Sequence, residues 1–314
     1  MARGAIGAIA LAVGLVIGCA SPADDTETDS DEVIGARAQV TRGADGALKL
    51  TTPLAARVAD CKGACTDADG DGLVDAWEAL VLDRLHPAVT FDEDEPLLDK
   101  DDAFAALGRI YARDATHLTA NILLVYAKDY GAPNWLCFGA SAHPGDVERV
   151  ALDLELVGAG DVVVRNAFTT GHEGTEDDQS KVWKTSELRK LEVIEDATTR
   201  EPRWRVYASQ SKHATYASKE HCESVRLAKL THRFCVNEDC APDRVRDRAR
   251  YTRVPSISNA GEPGKPLVDD LAPLGFAGER AWSDKRFCGG VKVSPDEECP
   301  PSIKSKLLLD PFAR

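Results

Sequence analysis

Five carboxylates fall inside one run of twelve residues, Asp67 to Glu78, with the sequence DADGDGLVDAWE. Counted from Asp67, positions 1, 3 and 5 are Asp67, Asp69 and Asp71, position 6 is Gly72, position 7 is Leu73, position 9 is Asp75 and position 12 is Glu78. This is the order a calcium loop requires: aspartates at alternating positions, a glycine where the chain turns sharply, a backbone carbonyl at position 7, and a bidentate glutamate at the end. Carboxylates packed this closely repel one another unless a cation lies between them, so the loop predicts bound Ca2+ held by Asp67, Asp69, Asp71, Leu73, Asp75 and Glu78. An acidic surface turn is the alternative, and the glycine and the terminal glutamate, both in register, argue against it. The chain has one complete loop and one methionine, Met1, which favours a structural site over a sensor that exposes a Met-rich groove.

A second set of residues able to do chemistry starts at His143-Pro144-Gly145-Asp146-Val147-Glu148 and runs into Val150, Leu152 and Leu154. Side chains alternate across a strand, so Asp146 and Glu148 share the register of those apolar residues and continue their face if the strand extends back. Two carboxylates on a buried face need cations, a metal or hydrogen-bond donors to meet them. Ser209 to Tyr216 supplies His213. Together His143, Asp146, Glu148 and His213 make a mixed nitrogen and oxygen set suited to a second divalent metal or to acid/base work, with Glu148 or Asp146 activating water in a hydrolase. His172 and Glu173 read as an exposed polar loop, His221 as packing beside Cys222, and Glu262 as part of a turn. The sequence has no GxSxG elbow, HExxH helix, P-loop or dinucleotide fingerprint.

Three short segments resemble the vacuolar protein sorting-associated protein 62 family: His143 to Glu148, with Val147 in place of the family's tryptophan; Ser211 to Tyr216, around His213; and Asn259-Ala260-Gly261-Glu262. The resemblance spans about Pro87 to Gly290. A weaker similarity runs to the necrosis-inducing protein family, whose matching segment lines a metal site in a β-sandwich. His143, Asp146 and Glu148 match three of its functional positions, while Gly145 and Val147 depart from it. The resemblance implies a β-sandwich and leaves the activity open.

The elements that position these residues read mostly as strands. Asn121 to Tyr130 is a continuous apolar run, and Trp135 to Phe138 is a shorter one. Val150 to Leu156 alternates as a half-buried strand, and Gly158 and Gly160 turn it into Val162 to Phe168. Leu191 to Ile194 and Trp204 to Ala208 form a second hairpin. Helices are expected at Ala76 to Leu85, where Trp77, Leu80, Val81 and Leu85 recur near helical spacing before Pro87, and also at Asp102 to Arg113 and Ser218 to Ala228. The acidic run from Asp92 to Asp102 lacks the loop glycine and reads as solvated. The expected class is mainly β, a β-sandwich with peripheral helices, plus a small EF-hand-like calcium-binding subdomain at 39–86 ahead of a disulfide-stapled sandwich at 87–314.

At the start of the chain, Arg3 precedes an apolar run from Ala5 to Ile17, which is short for a membrane span and fits an export signal over 1–18. Val16-Ile17-Gly18-Cys19 resembles a bacterial lipobox, which implies lipidation at Cys19 and, with Ala20 next, display on the outer membrane or cell surface. Residues 19–38 carry six acids and little apolar content, an acidic flexible tether. Of nine cysteines, eight lie beyond Cys19, an even number that fits disulfides in an exported chain. Short spacing favours Cys61 with Cys65, Cys235 with Cys240 and Cys288 with Cys299, leaving Cys137 with Cys222; the sequence does not choose among the pairings, and zinc is disfavoured because no CxxC pair occurs. A formal net charge of −14 argues against nucleic acid as a partner. The five arginines between Arg244 and Arg253 are interleaved with Asp243 and Asp247 and read as a solvated face. The functional expectation is a calcium-binding surface lipoprotein that binds an extracellular ligand or second metal around the His/Asp/Glu cluster. A metal-assisted hydrolase of an ester or phosphodiester and a structural envelope protein are the alternatives.

Overall fold

The computed structural model describes residues 37–100, 104–131, 142–171, 173, 178–218, 221, 248–261, 306 and 309–313, with backbone alone at 99–100, 143–145 and 248–249. The expected export signal, Cys19 and the rest of the expected tether up to residue 36, Trp135 to Phe138, His172, nearly all of Ser218 to Ala228, Glu262 and the cysteines other than Cys61 and Cys65 lie outside these residues.

The protein is mainly β. Its larger sheet contains β1 (Gln39–Arg42), β2 (Leu48–Thr51), β4 (Phe104–Ala112), β5 (His117–Asp129), β6 (His143–Val157), β7 (Asp161–Thr169), β8 (Lys181–Trp183) and β13 (Ile257–Asn259). They run in the order β1-β2-β7-β6-β5-β4-β13, with β8 also on β7. Pairing is antiparallel except where β13 joins β4 in parallel. The smaller sheet holds β3 (Ala88–Thr90), β9 (Val193–Glu195), β10 (Pro202–Ala208), β11 (Thr215–Tyr216) and β12 (Thr252–Arg253), built around a parallel β10–β3 pair. Three α-helices accompany them among the described residues: α1 (Asp75–Leu85), α2 (Pro96–Lys100) and α3 (Arg248–Tyr251).

Strand parity organises the core. On β5, Leu118, Ala120, Ile122, Leu124 and Tyr126 point one way; on β6, Val150, Leu152, Leu154 and Leu156 join them. Trp77, Val81, Leu82 and Leu85 of α1 pack into the same cluster, as do Val89, Trp204 and Val206 of the smaller sheet. Val40, Leu48 and Leu50 belong to it as well, so residues 39–86 share one core with the rest of the described chain and do not form a separate subdomain. Helix α1 sits close on β4 because Gly108 has no Cβ; one built there would meet Leu82 Cδ2 at 2.4 Å. The helix ends where His86 turns extended ahead of Pro87, as a residue before proline must.

Four sequence expectations are corrected. Asp102 to Arg113 is not a helix but contains β4; Ala, Leu and Arg favour a helix in isolation, and nine-residue pairing with β5 overrides that propensity. The β6 strand is buried on both faces rather than one, because Asn121 donates to the Lys306 carbonyl, Arg149 to the Leu309 carbonyl and Thr119 to Asp310, which lays Lys306, Leu309 and Asp310 against the other side. The run from Asp92 is not simply solvated: Asp92 and Glu95 are buried, and α2 follows directly. Glu173 is fully buried, not exposed. The two expected hairpins are present, with Gly158 at φ +68° in the first and β9 paired antiparallel with β10 in the second.

Candidate calcium loop and a buried charge network

The acidic loop is folded around its own aspartates. Asp67 accepts hydrogen bonds from the backbone N–H groups of Gly70 (2.6 Å), Asp71 (3.1 Å) and Gly72 (3.0 Å). Asp71 accepts from Leu73 N–H at 2.7 Å, and Asp75 from Ala68 N–H at 3.1 Å. Gly70 and Gly72 hold φ of +72° and +91°, the region that favours glycine, as position 6 of the pattern anticipates. Two groups of three carboxylates bring one oxygen each to within 4.8 Å of one another: Asp67, Asp69 and Asp71, and Asp69, Asp75 and Glu78. Asp75 opens α1, and Glu78 follows one turn later, placed by the helix.

Glu78 is the informative ligand candidate. It is fully buried, its Oε2 accepts from Asn259 Nδ2 at 3.3 Å, and its Oε1 has no hydrogen-bond partner among the described residues. Burial first, then the charges of Asp71 and Asp69, push its carboxyl up to about 9. A carboxylate buried among like charges is costly unless a cation meets it, and a hard oxygen set of this kind fits Ca2+.

The scaffold around the loop comes from the segment just ahead of it and from the β6–β7 turn. Leu73 makes an antiparallel bridge with Arg57, reinforced by Val74 N–H to Ala56 O at 3.0 Å and Val58 N–H to Gly72 O at 3.2 Å. Ala56 N–H reaches Ala159 O in the β6–β7 turn, and Trp77 Nε1 donates to Gly160 O at 2.8 Å. A disulfide joins Cys61 to Cys65 just ahead of Asp67, the pairing that short spacing favoured.

The second set of predicted residues comes together in a different sense. β6 begins at His143, so Asp146 and Glu148 do continue the apolar face, opposite Tyr126 and Leu124 of β5. The side chain of His143 lies outside the described residues. His213 has φ +58°, is fully buried, and lies flat on Tyr126 with ring centroids 4.0 Å apart. Its Nδ1 is 3.1 Å from Asp146 Oδ2 and its Nε2 3.4 Å from Glu95 Oε1. Burial alone would push the imidazole down; its hydrogen bonds to Asp146 and Glu95 outweigh that and raise it to about 9. Glu148 accepts from Lys306 Nζ at 2.8 Å and from Thr170 Oγ1 at 2.8 Å. Burial raises the Glu148 carboxyl, and the Lys306 ammonium works against it.

Protein cations therefore meet both buried acids. Both ring nitrogens of His213 face carboxylates, and among the described residues the carboxylate groups that could hold a metal lie in the loop, not here. Sequence reasoning missed Glu95, Thr170 and Lys306, and also the buried Arg149–Glu173 ion pair on the other side of β6. Nothing in the local pattern sets Glu95 apart from its acidic neighbours, while Lys306 reaches Glu148 across 158 residues. His221 lies edge-on to Trp183 and Tyr216, in keeping with a packing role.

Compared with protein-family models, with characterised proteins and with solved structures, the chain finds no match, so its likeness to the two families rests on the short motifs alone.

Proposed function

We propose that this chain is an exported, calcium-binding lipoprotein, anchored through Cys19 to the bacterial outer membrane or cell surface, in which Ca2+ acts as a structural clamp. The two sheets are then the halves of a β-sandwich. The observation that carries the reading is Glu78: position 12 of the loop, fully buried, with one carboxylate oxygen lacking any hydrogen-bond partner among the described residues. Asp67, Asp69, Asp71, Asp75 and Glu78, with the Leu73 carbonyl, would hold the ion, whose charge relieves the repulsion among them. A single loop braced by its own chain at Arg57 fits a clamp better than a sensor, since sensor loops work in pairs and move.

The hydrolase alternative draws no support from the geometry around Asp146 and Glu148, because an acid that activates water must reach solvent or substrate, and these two are engaged by His213, Lys306 and Thr170. Elemental analysis of the purified chain tests the proposal. One equivalent of calcium, lost in Glu78→Gln and retained in Asp146→Asn, supports it. Absence of calcium from wild-type protein prepared in millimolar Ca2+ would sink it.

A further inference from the structure

The Asn259-Ala260-Gly261 turn sits against the calcium loop from a distant part of the chain. Asn259 is the last residue of β13, the edge strand that pairs in parallel with β4, and Ala260 N–H continues that pairing to Gly108 O at 2.7 Å. Gly261, at φ +68°, turns the backbone so that its N–H donates to Asn259 Oδ1 at 3.2 Å. With that oxygen engaged as acceptor, the other end of the amide is the donor, and it points at Glu78 Oε2, 3.3 Å away. Glu78 Oε1 is left buried with no hydrogen-bond partner among the described residues.

We propose that Asn259 is a positioning residue of the calcium site: it fixes the Glu78 carboxylate in the orientation that presents its free oxygen to the ion, and so ties calcium binding to the docking of β13 on β4. This rests on the calcium reading above. The same bond works in both directions. Ion binding holds Glu78, Glu78 holds the Asn259 amide, and the amide holds the turn that ends β13. Partners behind a metal ligand typically set affinity by 10- to 100-fold, and a glutamate that must use both oxygens is sensitive to its rotation about the terminal torsion. Ca2+ tolerates a bidentate carboxylate where Mg2+ demands near-octahedral single contacts, so the loss of this restraint falls harder on Ca2+.

Calorimetric titration of the full chain with Ca2+ and with Mg2+ separates the cases. Asn259→Ala is expected to weaken Ca2+ binding by about 10- to 100-fold, to narrow the Ca2+/Mg2+ preference, and to recover partly in Asn259→Gln, which keeps the donor. If wild type binds Ca2+ and Asn259→Ala binds it equally well with an unchanged preference, the positioning role is wrong while the calcium site stands. If wild type binds no Ca2+, the calcium reading falls and takes this with it. Hydrogen exchange on the wild-type chain needs no variant: adding Ca2+ should slow exchange at the amides of Ala260 and Gly261, and unchanged exchange there would overturn the coupling to β13.

Discussion

His213 Nδ1 lies 3.1 Å from Asp146 Oδ2 while the same ring stacks on Tyr126, so one imidazole closes the top of the β5–β6 face both electrostatically and sterically. Its proton is held to about 9 in the folded protein, whereas an exposed histidine releases it near about 6.5. The stabilisation from this proton is therefore complete below about pH 6.5 and drains away as pH rises through about 9. With calcium in excess, urea unfolding should show wild type losing stability between about pH 7 and pH 9, with a flatter profile in His213→Gln. Removing the ring entirely, as His213→Ala, takes away the cation that both Asp146 and Glu95 face and should cost about 3–5 kcal/mol. A wild-type profile that stays flat or rises over that window would contradict the arrangement.

Lys306 presents its ammonium to Glu148 Oε1 and to the Val147 carbonyl from a segment far along the chain. Cutting it back to an apolar side chain, Lys306→Met, leaves Glu148 buried without its cation, at a cost of about 3–5 kcal/mol. The double variant Lys306→Met with Glu148→Leu removes both charges and should recover most of that loss, since an apolar pair of similar volume does well in such a site. Equilibrium denaturation of the two variants gives the comparison. A single variant as stable as wild type would place Lys306 elsewhere.

How far these residues could be read in advance depended on distance along the chain. The acidic loop is a local pattern, with all six candidate ligand positions inside twelve residues, so spacing alone picked it out, whereas the Asn259 amide that meets Glu78 comes from far along the chain. The acids at Asp146 and Glu148 were legible through parity, because a strand imposes its period of two on charged residues as firmly as on apolar ones. What meets them was not legible: Glu95, Thr170 and Lys306 come from three other segments, and only the folded chain brings them there. Burial on both faces hid β4, whose sequence shows no alternation, and its alanines and leucines imitate a helix.

Chelation should lower the melting temperature of the purified chain. A ligand bound only by the folded state stabilises it by about 2.7 kcal/mol at a hundredfold excess over Kd. Glu78→Gln removes the charge and should make the transition insensitive to chelator and to added Ca2+. Differential scanning calorimetry with and without chelator measures both, and a wild-type transition that ignores chelator would rule out an occupied loop. Reduction of the Cys61–Cys65 disulfide, which lies just ahead of Asp67, should weaken calcium binding by loosening the approach to the loop and so shrink the shift that chelator produces.

Gly158 and Gly160 share one turn yet are glycines for different reasons, and substitution separates them. Gly158 holds φ +68° with open space where a Cβ would stand, so its demand is conformational. Asparagine visits that region, and Gly158→Asn should stay within about 1 kcal/mol of wild type. A Cβ on Gly160 would lie 1.8 Å from the Leu54 carbonyl oxygen, a backbone atom with no flexible end to yield. Gly160→Ala must push the turn off the segment beneath it, a strain of about 1–3 kcal/mol. The shift also disturbs the bond from Trp77 Nε1 to Gly160 O, and a lost buried hydrogen bond adds about 1 kcal/mol. Because Trp77 stands in α1 between Asp75 and Glu78, the same variant should bind calcium more weakly, while Gly158→Asn should not. Urea unfolding paired with calcium titration reads both effects, and equal behaviour of the two variants would mean that the turn does not brace the loop.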